Sequence, residues 1–327
     1  MDKIKIAVVG CGDIAKAMLI IFKLTCGIKV VDLCDINEVR LKKQGKLFKS
    51  AGQHTDYKEM FEKTKADAVY LAVPHNLHYP IMKAAITNNL HMLCEKPITI
   101  KNENAIKIVE AAEEAGLKIA VNYQYRYDSN CYKLVKAVQK GDLGKINFIR
   151  CIVPWKRNQG YFDAAPWHAV KEKSGGGTLI TQGSHLLDII LWMCNSGVRK
   201  ASGVCKQLKF KNVEVEDFCF AELELDNEVP VQFLSTMAAP VEGKIVLEVF
   251  GDRGYGLYTK KLGSHVRFSG IKPPRYNYGY PAVHAVQKGV RDFRDYILTG
   301  KEHLCSGREA IKVLKAVNFI YDNIEEV

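Results

Sequence analysis

The first 35 residues constrain the fold more than any other stretch of this 327-residue chain. A β-branched strand, Lys3-Ile4-Lys5-Ile6-Ala7-Val8-Val9, runs into Gly10-Cys11-Gly12-Asp13-Ile14-Ala15 and then into an apolar-periodic segment reaching Leu24. A second apolar run, 28–33, closes on Cys34-Asp35. Gly10 permits the turn out of the strand. Gly12 has no Cβ, so a pyrophosphate can approach the backbone, and Ala15 lets the helix pack close on the strand. Backbone N–H groups at the helix start, with the positive end of its dipole, attract phosphate. Asp35 follows Ala15 by 35 − 15 = 20 positions, close to the roughly 20-residue offset of a ribose-binding acid. A carboxylate there accepts from the ribose hydroxyls and repels a 2′-phosphate, so the pattern predicts NAD rather than NADP.

The length suits two domains, each with its own core. No apolar run reaches the roughly 18–20 residues that span a bilayer, so no membrane partner is expected. The first strand starts almost at Met1, which leaves no place for a secretion signal and predicts a cytoplasmic enzyme. The ten cysteines are scattered without a CxxC pair and read as small buried hydrophobes in a reducing compartment, with no metal site. The net charge of +11 comes from dispersed lysines rather than a basic helix, which argues against nucleic acid. It reads as a solvated surface or as a field that draws in an anionic substrate.

Along the chain, 37–52 has helical character, with Arg40 either reaching the adenine or serving as a solvated helix charge. A short helix at 57–61 precedes a buried parallel strand at 68–73. That strand ends on Pro74-His75-Asn76-Leu77-His78, where a doubly wound sheet binds its ligand. Helix 79–88, strand 91–94 with Glu95-Lys96-Pro97, helix 101–116 and strand 118–121 complete five parallel strands. The expected nucleotide domain is therefore 1–122, and 123–327 forms a substrate-binding and oligomerisation domain. The latter opens with helix 129–140 and carries strands at 145–154, 199–210, 215–226, 229–238, 244–251, 254–260 and 265–269. An irregular aromatic segment at 155–177 leads to helix 183–194, and helices 282–299 and 307–323 close the chain. The fold class is α/β: a Rossmann doubly wound parallel sheet followed by an α+β domain with an open, largely antiparallel sheet.

Five marks in order give the chain a family likeness: Gly10-Cys11-Gly12-Asp13-Ile14-Ala15, Val73-Pro74-His75-Asn76-Leu77-His78, Glu95-Lys96-Pro97, Gln124-Tyr125-Arg126-Tyr127, and Gly175-Gly176-Gly177-Thr178-Leu179 leading to His185-Leu186-Leu187-Asp188. Along its whole length the chain resembles the Gfo/Idh/MocA oxidoreductases. Stretches such as Trp155 to Asp163, Pro166-Trp167, Thr181 to His185 and Val213 to Asp217 are similar to the branch that oxidises UDP-N-acetyl-hexosamines or their uronates at the 3-position.

The resemblance implies that Val73, Pro74, His75, Asn76, His78, Glu95, Lys96, Pro97 and Gln124 join the glycine turn, Asp35 and Arg40 around NAD. It implies no metal, although His75 and His78 look like a ligand pair. It assigns the acid–base work of alcohol oxidation to Lys96 and His185. Hydride transfer needs a base for the hydroxyl proton and a donor for the developing alkoxide. Lys96 follows a strand end on one domain. His185 starts a helix on the other, where it would face the lysine across a cleft, near neutral pH as a competent base.

Arg126, Arg157, Tyr161, Trp167, Thr181 and Gln182 complete the implied substrate set. Arg157 suits a carboxylate or phosphate and Trp167 a stacked ring; the alternative is that this aromatic segment is interface core. Asp188, one helical turn on, either orients His185 or serves in a helix-start salt bridge or a packing role. Thr181 departs from the family, in which many polyol-oxidising members have aspartate and the nucleotide-sugar branch often has asparagine. That counts against an inositol-type substrate. The implied reaction is oxidation of a ring hydroxyl on a nucleotide-linked sugar. Alternatives are a free sugar or polyol such as glucose or inositol, an NAD-using glycoside hydrolase, and a non-catalytic sugar-responsive regulator. A homodimer or homotetramer through the second sheet is also implied.

Overall fold

The computed structural model describes residues 3–276, 278 and 284–326. Its contacts divide the chain into two units, Met1–Tyr123 with Ala282–Ile311, and Gln124–Pro281 with Lys312–Val327.

The first unit is a six-stranded sheet, all parallel, in the order β3-β2-β1-β4-β5-β6. The strands are β1 (Ile4–Val9), β2 (Ile28–Cys34), β3 (Gly52–His54), β4 (Ala68–Leu71), β5 (His91–Cys94) and β6 (Ile119–Val121). The connecting helices are α1 (Asp13–Leu24), α2 (Glu38–Gly45), α3 (Tyr57–Lys63), α4 (His78–Thr87) and α5 (Asn102–Glu114). β4 is buried at every position, as a strand with helices on both faces should be. α1 buries Ala15, Met18, Leu19 and Phe22, one stripe at helical spacing. Polar caps start α2 and α3: Asn37 Oδ1 accepts from Val39 and Arg40 N–H, and Asp56 from Lys58 N–H.

This differs from the sequence reading in one strand. The helix expected over 37–52 stops at Gly45, and 52–54 pairs with Asp32, Leu33 and Cys34 as the sixth strand. Gly52 sits where a Cβ would lie 2.2 Å from Asp32 Oδ1, so glycine lets the edge strand close on β2.

The second unit is built on one sheet ordered β13-β12-β11-β7-β10-β9-β8-β14. Its strands are β7 (Ile146–Pro154), β8 (Val198–Lys206), β9 (Phe218–Leu225), β10 (Pro230–Thr236), β11 (Ile245–Gly251), β12 (Tyr255–Lys260), β13 (Ser264–Ser269) and the two-residue edge β14 (Glu325–Glu326). Only β10–β7 and β14–β8 pair in parallel. The helices are α6 (Ser129–Gln139), α7 (Gln159–Ala164), α8 (Lys171–Ser174) and α9 (Ser184–Cys194). The seven longer strands fall where the alternation predicts them.

α10 (Ala285–Thr299) and α11 (Gly307–Asn323) follow; the expected start of the former at 282–283 lies outside the described residues. α10 was expected in the second domain but packs in the first unit. Val290 and Phe293 join the core of Ile4, Phe22 and Tyr70, and Arg294 Nη1 donates to Cys26 O at 2.8 Å. α11 starts in the first unit and ends in the second. Among the described residues, no helix is long and apolar enough to cross a membrane.

Candidate active site

The order of the first sheet reverses between β1 and β4, and ligands of such sheets bind outside the carboxyl ends at that point. Gly10 ends β1 with φ +94°, and a Cβ there would lie 2.1 Å from Ala72 O at the end of β4. No other residue lets the two strand ends approach this way. Around Gly12, by contrast, a Cβ would meet nothing within 4 Å. α1 has no side-chain cap, and its first intrahelical bond runs from Lys16 N–H to Gly12 O. The N–H groups before it are the ones a helix start leaves for an anion. Open backbone and a donor-rich helix start fit a pyrophosphate.

Asp35 directly follows β2, and its carboxylate holds two backbone donors. Its Oδ2 accepts from Cys11 N–H and its Oδ1 from Asn37 N–H, both at 2.7 Å. One carboxylate thus clamps the glycine turn to the start of α2 and keeps lone pairs for hydroxyls. Burial, then Asp35, pushes the Cys11 thiol up to about 12, so it is an inert packing group at neutral pH. Asp13 and Ile14 are exposed on the first turn of α1, and Ala15 is buried. Arg40 is exposed on α2, as a solvated helix charge would be.

β5 is in register with β4 and β6, Leu71 opposite Cys94 and Cys94 opposite Val121. This puts Val73, Glu95, Lys96 and Asn122 at one carboxyl edge. Glu95 Oε1 accepts from the Tyr70 hydroxyl at 2.6 Å and from Asn122 Nδ2 at 2.8 Å. Burial holds the Glu95 carboxyl above the ordinary range, against those two bonds and Lys96. Lys96 is half-buried on the next residue, joined to Pro97 by a cis peptide. Val73 and Pro74 are half-buried, Asn76 is exposed and His75 is buried, its ring 5.8 Å from that of His78.

His78 departs from its expected cofactor role. It is fully buried, with Nδ1 2.8 Å from Pro97 O and Nε2 3.1 Å from Val73 O. Burial lowers the ring's pKa, and the neutral ring's single N–H donates to one of these carbonyls while the other nitrogen packs against the second, between the β4 loop and the Glu95-Lys96-Pro97 turn.

In the second unit, His185 lies in the first turn of α9, buried, its ring centroid 5.5 Å from that of Tyr125. A π-turn, Leu179–Gly183, runs directly into this helix. Such insertions are uncommon and concentrate at functional sites. Thr181 lies on it, its hydroxyl against both the Gly177 carbonyl oxygen and Gln182 Oε1. The Tyr161 hydroxyl reaches Gln182, Thr181 and His168 Nδ1, the last at 3.1 Å. The Arg157 guanidinium is sandwiched by Trp155 and Tyr161, at 4.7 and 5.1 Å from their ring centroids. Trp167 stacks on His168 at 3.6 Å. Arg157, Tyr161, Trp167, Thr181 and Gln182 therefore form one cluster on the π-turn that leads to His185. Gln124 opens the 3-10 turn Gln124–Tyr127.

Arg126 is not a substrate group. It is buried with Asp188, Nη2 to Oδ1 at 2.7 Å and Nε to both oxygens at 3.0 Å. Asp188 is thus an ion-pair partner of Arg126. Four contributors escaped the sequence reading: Tyr70 and Asn122 behind Glu95, His168 beneath Tyr161, and Glu216 behind the glycine run. Tyr70 lies in the strand read at 68–73 and Glu216 in the stretch 213–217, but no spacing in the sequence gives the partners of any of the four, so only the fold brings them together.

A family model described as an oxidoreductase family with an NAD-binding Rossmann fold matches residues 4–123, and one described as the GFO/IDH/MocA C-terminal domain matches residues 132–255. Among curated proteins, an uncharacterized oxidoreductase of Synechocystis sp. is 27% identical over 216 residues, covering 62% of this chain and 57% of that protein. The chain thus spans little more than half the length of that relative. The D-glucoside 3-dehydrogenase of Escherichia coli is 25% identical over 246 residues, covering 68% of this chain and 67% of its own. Among solved structures, the WlbA dehydrogenase of Bordetella pertussis, crystallised with NADH and UDP-GlcNAcA, superposes with a TM-score of 0.85 at 23% identity, over 98% of this chain and 96% of that one.

Proposed function

The chain belongs to the Gfo/Idh/MocA oxidoreductase family, and from that premise we propose that it is an NAD-dependent dehydrogenase oxidising a ring hydroxyl of a sugar, with a nucleotide-linked sugar as the substrate class. The observation that carries this reading is the β5 edge: Lys96 follows Glu95, which Tyr70 and Asn122 hold at the carboxyl end of the cofactor sheet. The WlbA dehydrogenase, with its UDP-linked ligand, supports the substrate class through shared fold.

Bound NAD supplies the hydride acceptor. Gly10 and Gly12 would give its pyrophosphate a close backbone approach, and Asp35 would take its ribose hydroxyls. In this reading His185 takes the proton of the reacting hydroxyl at an imidazole nitrogen as the hydride leaves the same carbon. The Lys96 ammonium stabilises the charge that develops on the oxygen. Arg157 is positioned by Trp155 and Tyr161 to meet an anionic substituent. Cytoplasmic location and self-association belong to the same proposal. The half-exposed Phe148 stacked at 4.1 Å on Phe250 supports an apolar sheet face for a second copy, and a native mass measurement tests it.

The direct test follows NADH absorbance with UDP-linked sugars, free sugars and polyols. Turnover with a UDP-sugar above all others supports the reading. Glycosidic cleavage without NADH, or no turnover with any of them, overturns it. Lys96→Met and His185→Ala should each lower kcat by roughly 100-fold or more and leave NAD affinity nearly unchanged.

A further inference from the structure

Three glycines precede the π-turn, and neither a phosphate nor a sugar is needed to explain them. A Cβ on Gly177 would lie 1.8 Å from Glu216 O, and one on Gly176, with φ +142°, would lie 2.3 Å from the Tyr321 hydroxyl. The glycines make room for Glu216, from the loop before β9, and for Tyr321, near the end of α11. Glu216 takes three successive backbone donors. Its Oε2 accepts from Gly177 N–H at 2.7 Å, its backbone oxygen from Thr178 N–H at 3.0 Å, and its Oε1 from Leu179 N–H at 2.9 Å. Tyr321 donates its hydroxyl to Oε1 at 2.8 Å. These N–H groups open the helical segment, where orphan donors seek an acceptor and the dipole favours an anion. A remote glutamate therefore caps the segment whose π-turn leads to His185.

We propose that Glu216, braced by Tyr321, is a positioning residue that fixes the π-turn and so sets where His185 stands. The inference rests on the reading of His185 as the base. The mechanical link is short: Gly177 O receives Thr181 N–H at 3.0 Å, and Ile180 O receives the Ser184 hydroxyl at 2.7 Å, next to His185. Ser235 Oγ, 2.9 Å from Thr178 Oγ1, anchors the same segment to β10. Glu216→Gln places an amide donor against a backbone N–H and releases one end of the cap. Tyr321→Phe removes only the brace.

The test reads the His185 ring resonance in histidine-labelled protein, assigned by its loss in His185→Ala, together with steady-state kinetics. Asp217→Asn is the control. Asp217 is buried, and its carboxylate accepts from Leu208, Lys209 and Phe210 N–H, none of which belongs to the helical segment. The expected result is a shifted or broadened His185 resonance in Glu216→Gln, a smaller change in Tyr321→Phe and none in Asp217→Asn. kcat in Glu216→Gln should fall about 10- to 100-fold with NAD affinity unchanged. A His185 resonance that is unmoved in both Glu216→Gln and Tyr321→Phe, or that moves as much in Asp217→Asn, overturns the proposal. If the wild type turns over no sugar, the functional reading fails separately, and the resonance still decides the positioning.

Discussion

Arg126 and Asp188 form an ion pair with side chains only 2% and 0% exposed. It ties the 3-10 turn at Gln124–Tyr127 to α9 one turn beyond His185, with the Arg126 guanidinium 4.9 Å from the Trp192 ring centroid. Removing one partner strands a charge in the interior. Arg126→Ala and Asp188→Ala should each cost about 3–5 kcal/mol, whereas replacing both with Met and Leu should cost far less. Urea unfolding of the three variants checks this; a double variant as damaged as the sum of the singles would contradict it.

The glycine turn separates two roles. Gly10→Ala forces a Cβ onto the Ala72 carbonyl and a positive φ on alanine, so it should destabilise the protein with or without cofactor. Gly12→Ala meets open space. It should change the stability of the cofactor-free protein by less than about 1 kcal/mol and weaken NAD binding by roughly 10-fold or more. Thermal unfolding without cofactor and fluorescence titration with NADH distinguish the two. Equal loss of stability in both variants would refute the assignment.

What the sequence made legible follows from period and spacing. The strand–glycine–helix–strand–acid order located β1, α1, β2 and Asp35, and alternation located the seven longer strands of the second sheet. The short β3 was not legible, because Gly52, Gln53 and His54 carry no apolar signal; they pair with β2 through backbone and the His54–Asp32 side-chain contact. α10 was legible as a helix but not as part of the first unit, since the burial of Val290 and Phe293 against Phe22 is a long-range fact. The ligand roles of His78 and Arg126 come from the family resemblance, through the motifs in which the two residues stand. The fold instead spends them on the Val73 and Pro97 carbonyls and on Asp188. Glu216 was legible only as part of the stretch 213–217, and its role was not: its carboxylate meets backbone N–H groups, which no side-chain pattern encodes.

His78 predicts a pH dependence. Its pKa is lowered from 6.5 by burial. Below 6.5 the unfolded chain takes up a proton that the folded ring refuses, so the unfolded state binds more protons and stability falls with falling pH. The contribution is fully present above 6.5 and is lost as pH drops toward the lowered folded value. Glu95, whose pKa is raised from 4.5 by burial, acts oppositely: its contribution is lost as pH rises from 4.5 through the folded value. Comparison of variants isolates the histidine. Between about pH 7.5 and about pH 5.5, the thermal midpoint of His78→Gln should fall less than that of the wild type. Parallel curves for the two proteins would show that His78 does not carry this dependence.

In the proposed reading Asp35 joins cofactor choice to the loop support that its two backbone bonds show, and substitution separates the two. In Asp35→Asn the amide oxygen can accept from either Cys11 or Asn37 N–H, and the amide NH₂ faces the other donor. One unsatisfied N–H costs about 1–3 kcal/mol, which should weaken NAD binding through a loosened glycine turn. The same change removes the negative charge that repels a 2′-phosphate, a gain available to NADP alone. NAD affinity should therefore fall by roughly 10-fold or more while NADP affinity holds or rises, so that the preference ratio narrows by a larger factor than either affinity changes by itself. Parallel fluorescence titrations with NADH and NADPH measure both. If the two cofactors weaken by the same factor, Asp35 acts only as the clamp between the glycine turn and α2, and cofactor discrimination resides elsewhere in the β2–α2 connection.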